Sequence, residues 1–187
     1  AAGVSKEMKN ISLEQFKNFI REYSLTSKKV VEIGCGGGEY LSLVNQCEVK
    51  AYGLEFNTDL IKQCIQKGLK VQKGFIGNDN YKIKNAPFDA FLIMSFLEHL
   101  PNPNAVLKGI KNNLSDGGVG IVEVPNFDMI LRDNLFSEFM RDHLFYFTKE
   151  TFSFILNLNG FEVISCDSIW HDYIISAVVR KRKQIDL

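Results

Sequence analysis

Between residues 30 and 41 the chain reads VVEIGCGGGEYL, in which Val30, Val31 and Ile33 surround Glu32 and run directly into Gly34, Gly36, Gly37 and Gly38. β-Branched residues suit a buried strand, and a strand that ends in glycines at a helix start lets a ligand approach bare backbone. The spacing narrows the ligand. A dinucleotide loop needs Gly-x-Gly-x-x-Gly, with its third glycine beside a pyrophosphate. Counted from Gly34, that third position is Glu39, and the glycines alternate instead as Gly34, Gly36 and Gly38. A phosphate-gripping loop would continue as Gly-Lys-Ser/Thr, which does not follow. Glu32 and Glu39 flank the bend, and negative charge there opposes an anion. A nucleotide-type ligand carrying an amino acid and a positive centre fits better.

Three further segments follow in order. VKAYGLEFN (49–57) reads as a second strand ending in an acid, with Glu55 21 residues after Gly34. FDAFLIMSFLEHL (88–100) is an apolar strand followed by Glu98-His99, and LSDGGVGIVEVPN (114–126) is a turn and another strand. Together with the glycine run these segments resemble the ordered motifs of class I S-adenosylmethionine-dependent methyltransferases, from about Lys29 to Arg180. The resemblance implies S-adenosylmethionine as cofactor, a small-molecule acceptor and a Rossmann-like methyltransferase fold.

Carried onto this chain, the resemblance assigns cofactor binding to Glu32, Gly34, Cys35, Gly36, Gly38, Glu55, Phe56, Phe75, Ile76, Met94, Ser95 and Phe96. Glu32 is expected at the ligand's ammonium and Glu55 at both ribose hydroxyls. Phe56, Phe75 and Ile76 would border the adenine, with Asp79 slightly late for its amino group. Backbone carbonyls of Met94 or Ser95 would take the methionyl amine. His99 is a candidate general base or a residue packing under the loop. Asp142-His143 lies in RDHLFYFT, where a carboxylate beside an imidazole makes a plausible proton acceptor. That element resembles one in bacterial sugar-modifying C-methyltransferases. Where that group reads His-Glu-His, this chain has Arg141-Asp142-His143. No metal ligands are expected. His171 and Tyr173 are expected to be structural.

These residues need elements to position them. Apolar positions 13, 16, 19 and 20 predict a leading helix over 11–23. Strands are expected at 29–33, 49–55, 70–75, 88–95 and 119–124, and helices at 39–46, 58–67 and 104–113. The polar stretch 77–87 leaves the third crossover helix stunted or missing. Alternating strands and helices imply a doubly wound parallel sheet. Residues 148–159 predict another helix, and 161–167 with 173–180 a closing antiparallel hairpin, for seven strands in all. The whole of 1–187 reads as one domain, with 126–147 an aromatic insert over the acceptor site.

Composition bounds the function classes. Lys plus Arg and Asp plus Glu both total 22, so no net charge draws the chain to nucleic acid or acidic membrane. The aromatic insert lacks the interleaved Lys and Arg of a base-stacking surface. Cys35, Cys47, Cys64 and Cys166 have no paired metal spacing, and reduced thiols suggest the cytoplasm. No apolar run long enough to span a bilayer and no signal peptide is evident, although the chain begins without Met. Two alternatives stand beside a sugar or surface-polysaccharide acceptor. One is a quinone-type acceptor. The other is a cofactor-binding regulatory or scaffold module, expected to fill the acceptor cavity with Phe136, Phe139 or Phe145. An enzyme should keep that cavity open and its glycine bend free of side chains.

Overall fold

A computed structural model describes residues 5–183. Seven strands form one sheet: β1 (Lys29–Ile33), β2 (Lys50–Glu55), β3 (Val71–Lys73), β4 (Phe88–Met94), β5 (Leu114–Pro125), β6 (Phe161–Ile169) and β7 (Ile174–Lys181). Their order is β3-β2-β1-β4-β5-β7-β6. The pairs among β1 to β5 are parallel, and β7 runs antiparallel to both β5 and β6. Strand order reverses between β1 and β4, and in such sheets the crevice at the carboxyl ends of these strands receives ligands.

The helices are α1 (Lys6–Glu22), α2 (Glu39–Val44), α3 (Thr58–Gln66), α4 (Pro103–Lys111), α5 (Phe127–Arg132) and α6 (Lys149–Leu158). They begin where local chemistry starts helices. Asn57 accepts from the amides of Asp59 and Leu60, and Asn102 accepts from Ala105 with Pro103 behind it. Thr148 and Thr151 exchange side-chain and backbone bonds in a capping box at α6.

Each face of the sheet has its own core. On one side Phe88, Phe91, Ile93, Phe152, Leu156 and Phe161 pack under α4 and α6. On the other, α1 turns Phe16, Phe19 and Ile20 onto Val30, Leu92, Ile121 and the α2 residues Leu41 and Val44. A buried polar tie adds to this second face. Gln15 of α1 donates to Glu123 of β5 at 2.7 Å, and Ser176 of β7 donates to the same oxygen at 2.9 Å.

The departures from expectation have local causes. The turn expected at Ser115-Asp116-Gly117-Gly118 exists, but as a bulge inside β5: Phe88 pairs with Leu114, and Ala90 pairs with Val119. Residues 77–87 contain no helix. Asn113 holds that stretch instead, accepting from the amide of Ile83 at 2.8 Å and donating to the carbonyl of Tyr81 at 2.7 Å. Strand β3 stops before Gly74, against which the Tyr81 hydroxyl packs.

The aromatic pair Phe91 and Phe161, with ring centroids 5.3 Å apart and both side chains wholly buried, joins the parallel half to the hairpin. Phe91→Ala is expected to cost about 3–5 kcal/mol of stability. A urea denaturation midpoint unchanged from that of the parent chain would contradict this account of the core.

Candidate functional site

The glycine bend is built at the end of β1, and its glycines do different work. The amide of Gly34 donates to the Leu54 carbonyl at 2.8 Å. Gly38, at φ +81°, precedes α2, and a side chain there would strike Leu69 and the Cys64 sulfur. Its missing side chain therefore allows close packing against α3 and the turn after it. Cys35 is turned the same way. Its buried thiol faces Cys64, and its amide is used on the Leu54 carbonyl. Gly36 has open space around its Cα.

Gly34 is covered. A Cβ built on it would lie 2.3 Å from the ring of Phe96. Ser95, at the end of β4, has φ +47°, a left-handed conformation that turns the chain and sends the next side chain across the bend. The expectation of a bend free of side chains is therefore corrected by one ring. The cavity beside it has a volume of only about 10 Å³ and is lined by Ile33, Gly34, Glu55, Phe56, Phe75 and Phe96 among others.

Two buried carboxylates flank this bend. Glu55 closes β2, and its Oε2 accepts from the Gly36 amide at 2.9 Å. Its Oε1 accepts from the amides of Phe56 and Asn57 at 2.9 and 2.8 Å. Three of about four lone-pair positions are thus engaged, and the remaining one is on Oε2. Glu32 is 2 % exposed, and among the described residues its Oε2 has no hydrogen-bond partner. Burial, with Glu39 and Glu55 nearby, pushes its carboxyl well above the usual range. Beyond Glu55, the rings of Phe56 and Phe75 stand 62 % and 42 % exposed, while Ile76 is buried against Gly109. Asp79 lies on the surface with its carbonyl bonded to Asn112.

A second cluster forms where the 126–147 segment meets the end of β4. The amides of Leu144 and Phe145 both donate to the Glu98 carbonyl, at 2.9 and 3.1 Å. His99 Nδ1 lies 2.9 Å from the Asp142 carbonyl, and the rings of His99 and His143 meet edge to face at 4.7 Å. The Asp142 carboxylate leans toward His99, at 3.5 Å, so the expected Asp142-His143 pair is replaced by a contact across the segment. Burial and the neighbouring His99 hold the His143 imidazole below its ordinary pKa. Glu98, noted in the sequence as half of the Glu98-His99 pair but given no role, is 1 % exposed, its Oε2 has no partner among the described residues, and burial pushes its carboxyl up to about 7.

The aromatic segment is tied down at both ends. Asn126 caps α5 and donates to the Asp172 carbonyl at 2.7 Å; Arg132 donates to the Asp172 carboxylate, and the Tyr173 hydroxyl donates to Glu138. Phe127, Phe139 and Tyr146 pack on one another. Phe136, Phe139 and Phe145 all stay exposed rather than buried as plugs.

Comparison with known proteins places this geometry in a family. A family model described as a methyltransferase domain matches residues 7–166, and the chain belongs to that family. It is 27 % identical over 111 residues to the ubiquinone biosynthesis O-methyltransferase of Xylella fastidiosa (strain M23), covering 57 % of this chain and 45 % of that one. It is 25 % identical over 138 residues to the C-methyltransferase NovU of Streptomyces niveus, covering 72 % and 33 %. The chain thus spans less than half the length of these curated relatives. An S-adenosylmethionine-bound amino pentose methyltransferase from Micromonospora echinaspora shares the fold, with TM-score 0.72, 14 % identity and coverage of 92 % and 91 %.

The contact between Gly34 and Phe96 is open to a double-mutant test. Gly34→Ala is expected to cost about 1–3 kcal/mol, through overpacking at a left-handed position. Adding Phe96→Ala should recover part of that loss. Additive losses in thermal unfolding would show that the ring does not press on the bend.

Proposed function

We propose that this member of the methyltransferase domain family transfers the methyl group of S-adenosylmethionine to a small-molecule acceptor. One arrangement carries the reading: two buried carboxylates, Glu32 and Glu55, on either side of a glycine bend, with two exposed aromatic rings beyond them. The partnerless Glu32 oxygen suits a cationic amine, since an unpaired buried acid gains most from an opposite charge. The remaining lone pair of Glu55 suits a ribose hydroxyl, and Phe56 and Phe75 offer apolar faces to a purine. Gly36 and the carbonyls of Met94 and Ser95 would complete the cofactor's surroundings, with Ile76 as the floor beneath. For a nucleoside to reach Gly34, the Phe96 ring must rotate off it, a change open to a half-buried side chain.

When bound, S-adenosylmethionine supplies a methyl group already activated on a sulfonium. The chain's own contribution is placement and exclusion of water, and such positioning is worth roughly 7–11 kcal/mol. The 126–147 segment acts as a lid over the acceptor within this methyltransferase domain. His143, next to His99, is the group through which the lid activates an acceptor oxygen or carbon.

The RDHLFYFT element supports a sugar or surface-polysaccharide precursor as acceptor. The exposed apolar rim of Phe136, Phe139, Met140 and Leu144 favours, as a second reading, a quinone-type metabolite. Four free thiols support a cytoplasmic setting. Among the described residues, no helix is long and apolar enough to cross a membrane.

Calorimetry should detect S-adenosylhomocysteine and no NAD; the reverse result would remove this reading. Glu55→Ala is expected to weaken S-adenosylhomocysteine at least tenfold, a loss of about 1.4 kcal/mol. His143→Ala should keep that affinity and lose turnover on acceptors found by screening nucleotide sugars and hydroxyquinones with labelled cofactor. An active His143→Ala variant would dismiss the lid imidazole from the chemistry.

A further inference from the structure

We infer that Glu98, His99 and His143 form a site for a borderline divalent cation of the zinc, iron or cobalt type, with one ligand supplied by the lid. The inference rests on the methyl-transfer reading only for what the cation would do; the site itself stands on its own geometry. One carboxylate oxygen and one nitrogen from each imidazole lie within 4.8 Å of one another. The Glu98 Oε1 to His99 Nε2 distance is 3.8 Å. Tetrahedral ligands about 2.0–2.1 Å from zinc stand about 3.3 Å apart, so the three donors need to close by at most about 1.5 Å. Two donors come from one rigid 3-10 turn, Leu97–His99, and the third comes from a half-buried lid residue able to adjust.

Three details separate this cluster from an ordinary polar contact. The Glu98 carboxylate is buried, and its Oε2 has no partner, a costly arrangement in a neutral interior. His99 places Nδ1 against the Asp142 carbonyl at 2.9 Å. A proton on Nδ1 leaves the Nε2 lone pair facing Glu98, and an imidazole oriented by a backbone carbonyl in this way is characteristic of metal-binding histidines. The set of two imidazoles and one carboxylate, finally, matches borderline transition metals better than magnesium or calcium, which favour all-oxygen surroundings.

Three protein ligands leave a fourth position open, as in sites that bind a water or substrate. An acceptor carrying a hydroxyl or ketone oxygen could take that position. The lid would then be fastened over the acceptor by the same ion that holds it. This also accounts for the contact pattern around Glu98, whose carbonyl receives two lid amides while its carboxylate waits beneath the lid's histidine.

The test uses the whole chain, treated with chelator and then titrated separately with Zn²⁺ and Co²⁺. One equivalent should bind with micromolar or tighter affinity, and Co²⁺ should give the visible absorption of a low-symmetry site. His143→Ala and Glu98→Gln should each weaken binding at least tenfold and abolish the Zn²⁺-induced rise in melting temperature. His143→Ala alters only a half-buried lid residue, so it remains informative if Glu98→Gln fails to fold. Binding of less than one equivalent, or unchanged affinity in His143→Ala, would overturn the assignment. S-adenosylhomocysteine binding measured on the metal-free chain separates the two proposals. Cofactor binding without metal binding sinks only the cation site, and metal binding without cofactor binding sinks only the methyl-transfer reading.

Discussion

The carboxylate of Glu55 accepts the amides of Gly36, Phe56 and Asn57, and much of the site depends on that one buried group. Charge-assisted bonds of this kind are stronger than neutral ones, and here they link two strand ends that share no covalent neighbour. They set the glycine bend of β1 against the end of β2 and fix the start of α3 through Asn57. The bend could otherwise adopt many shapes, since glycine has little conformational preference of its own. A side chain that holds the loop and still retains one free lone pair can serve both structure and recognition.

The second half of the site depends on how β4 ends. Ser95 in a left-handed conformation breaks the strand and places Phe96 over Gly34 and Glu98 against the 126–147 segment. The 126–147 segment is then fastened from both sides, by the Glu98 carbonyl near its end and by Asn126, Arg132 and Tyr173 along its length. The hairpin β6–β7 thus does more than close the sheet. Its connecting turn carries Asp172, to which two of those ties run. The aromatic residues of the 126–147 segment pack mainly on one another, which leaves its outer rim apolar and exposed.

The sheet was largely legible because buried parallel strands announce themselves as short, mostly apolar runs. Residues 29–33 and 88–94 are of this kind, and Asn57 and Thr148 marked helix starts through capping chemistry. The glycine spacing at 34, 36 and 38 identified the bend, yet could not divide its labour. That Gly38 and Cys35 face Cys64 and Leu69 depends on α3 packing behind the loop, a long-range contact. The bulge at 115–118 kept the expected turn residues but joined them to the strand, because β4 continues to pair on both sides. Phe96 over Gly34 and the meeting of His143 with His99 were invisible for the same reason. Both depend on segments far apart in the chain, and no local period encodes them.

Two carboxylates around a glycine bend, cradling a nucleoside that bears a cationic amino acid, form the centre of this account. A crystal structure of the chain with S-adenosylhomocysteine tests it most directly. The ribose is expected on Glu55 Oε2, the amine beside Glu32, the purine between Phe56 and Phe75, and the Phe96 ring swung off Gly34. A nucleoside bound elsewhere, or one bound with Phe96 still lying on the bend, would contradict it.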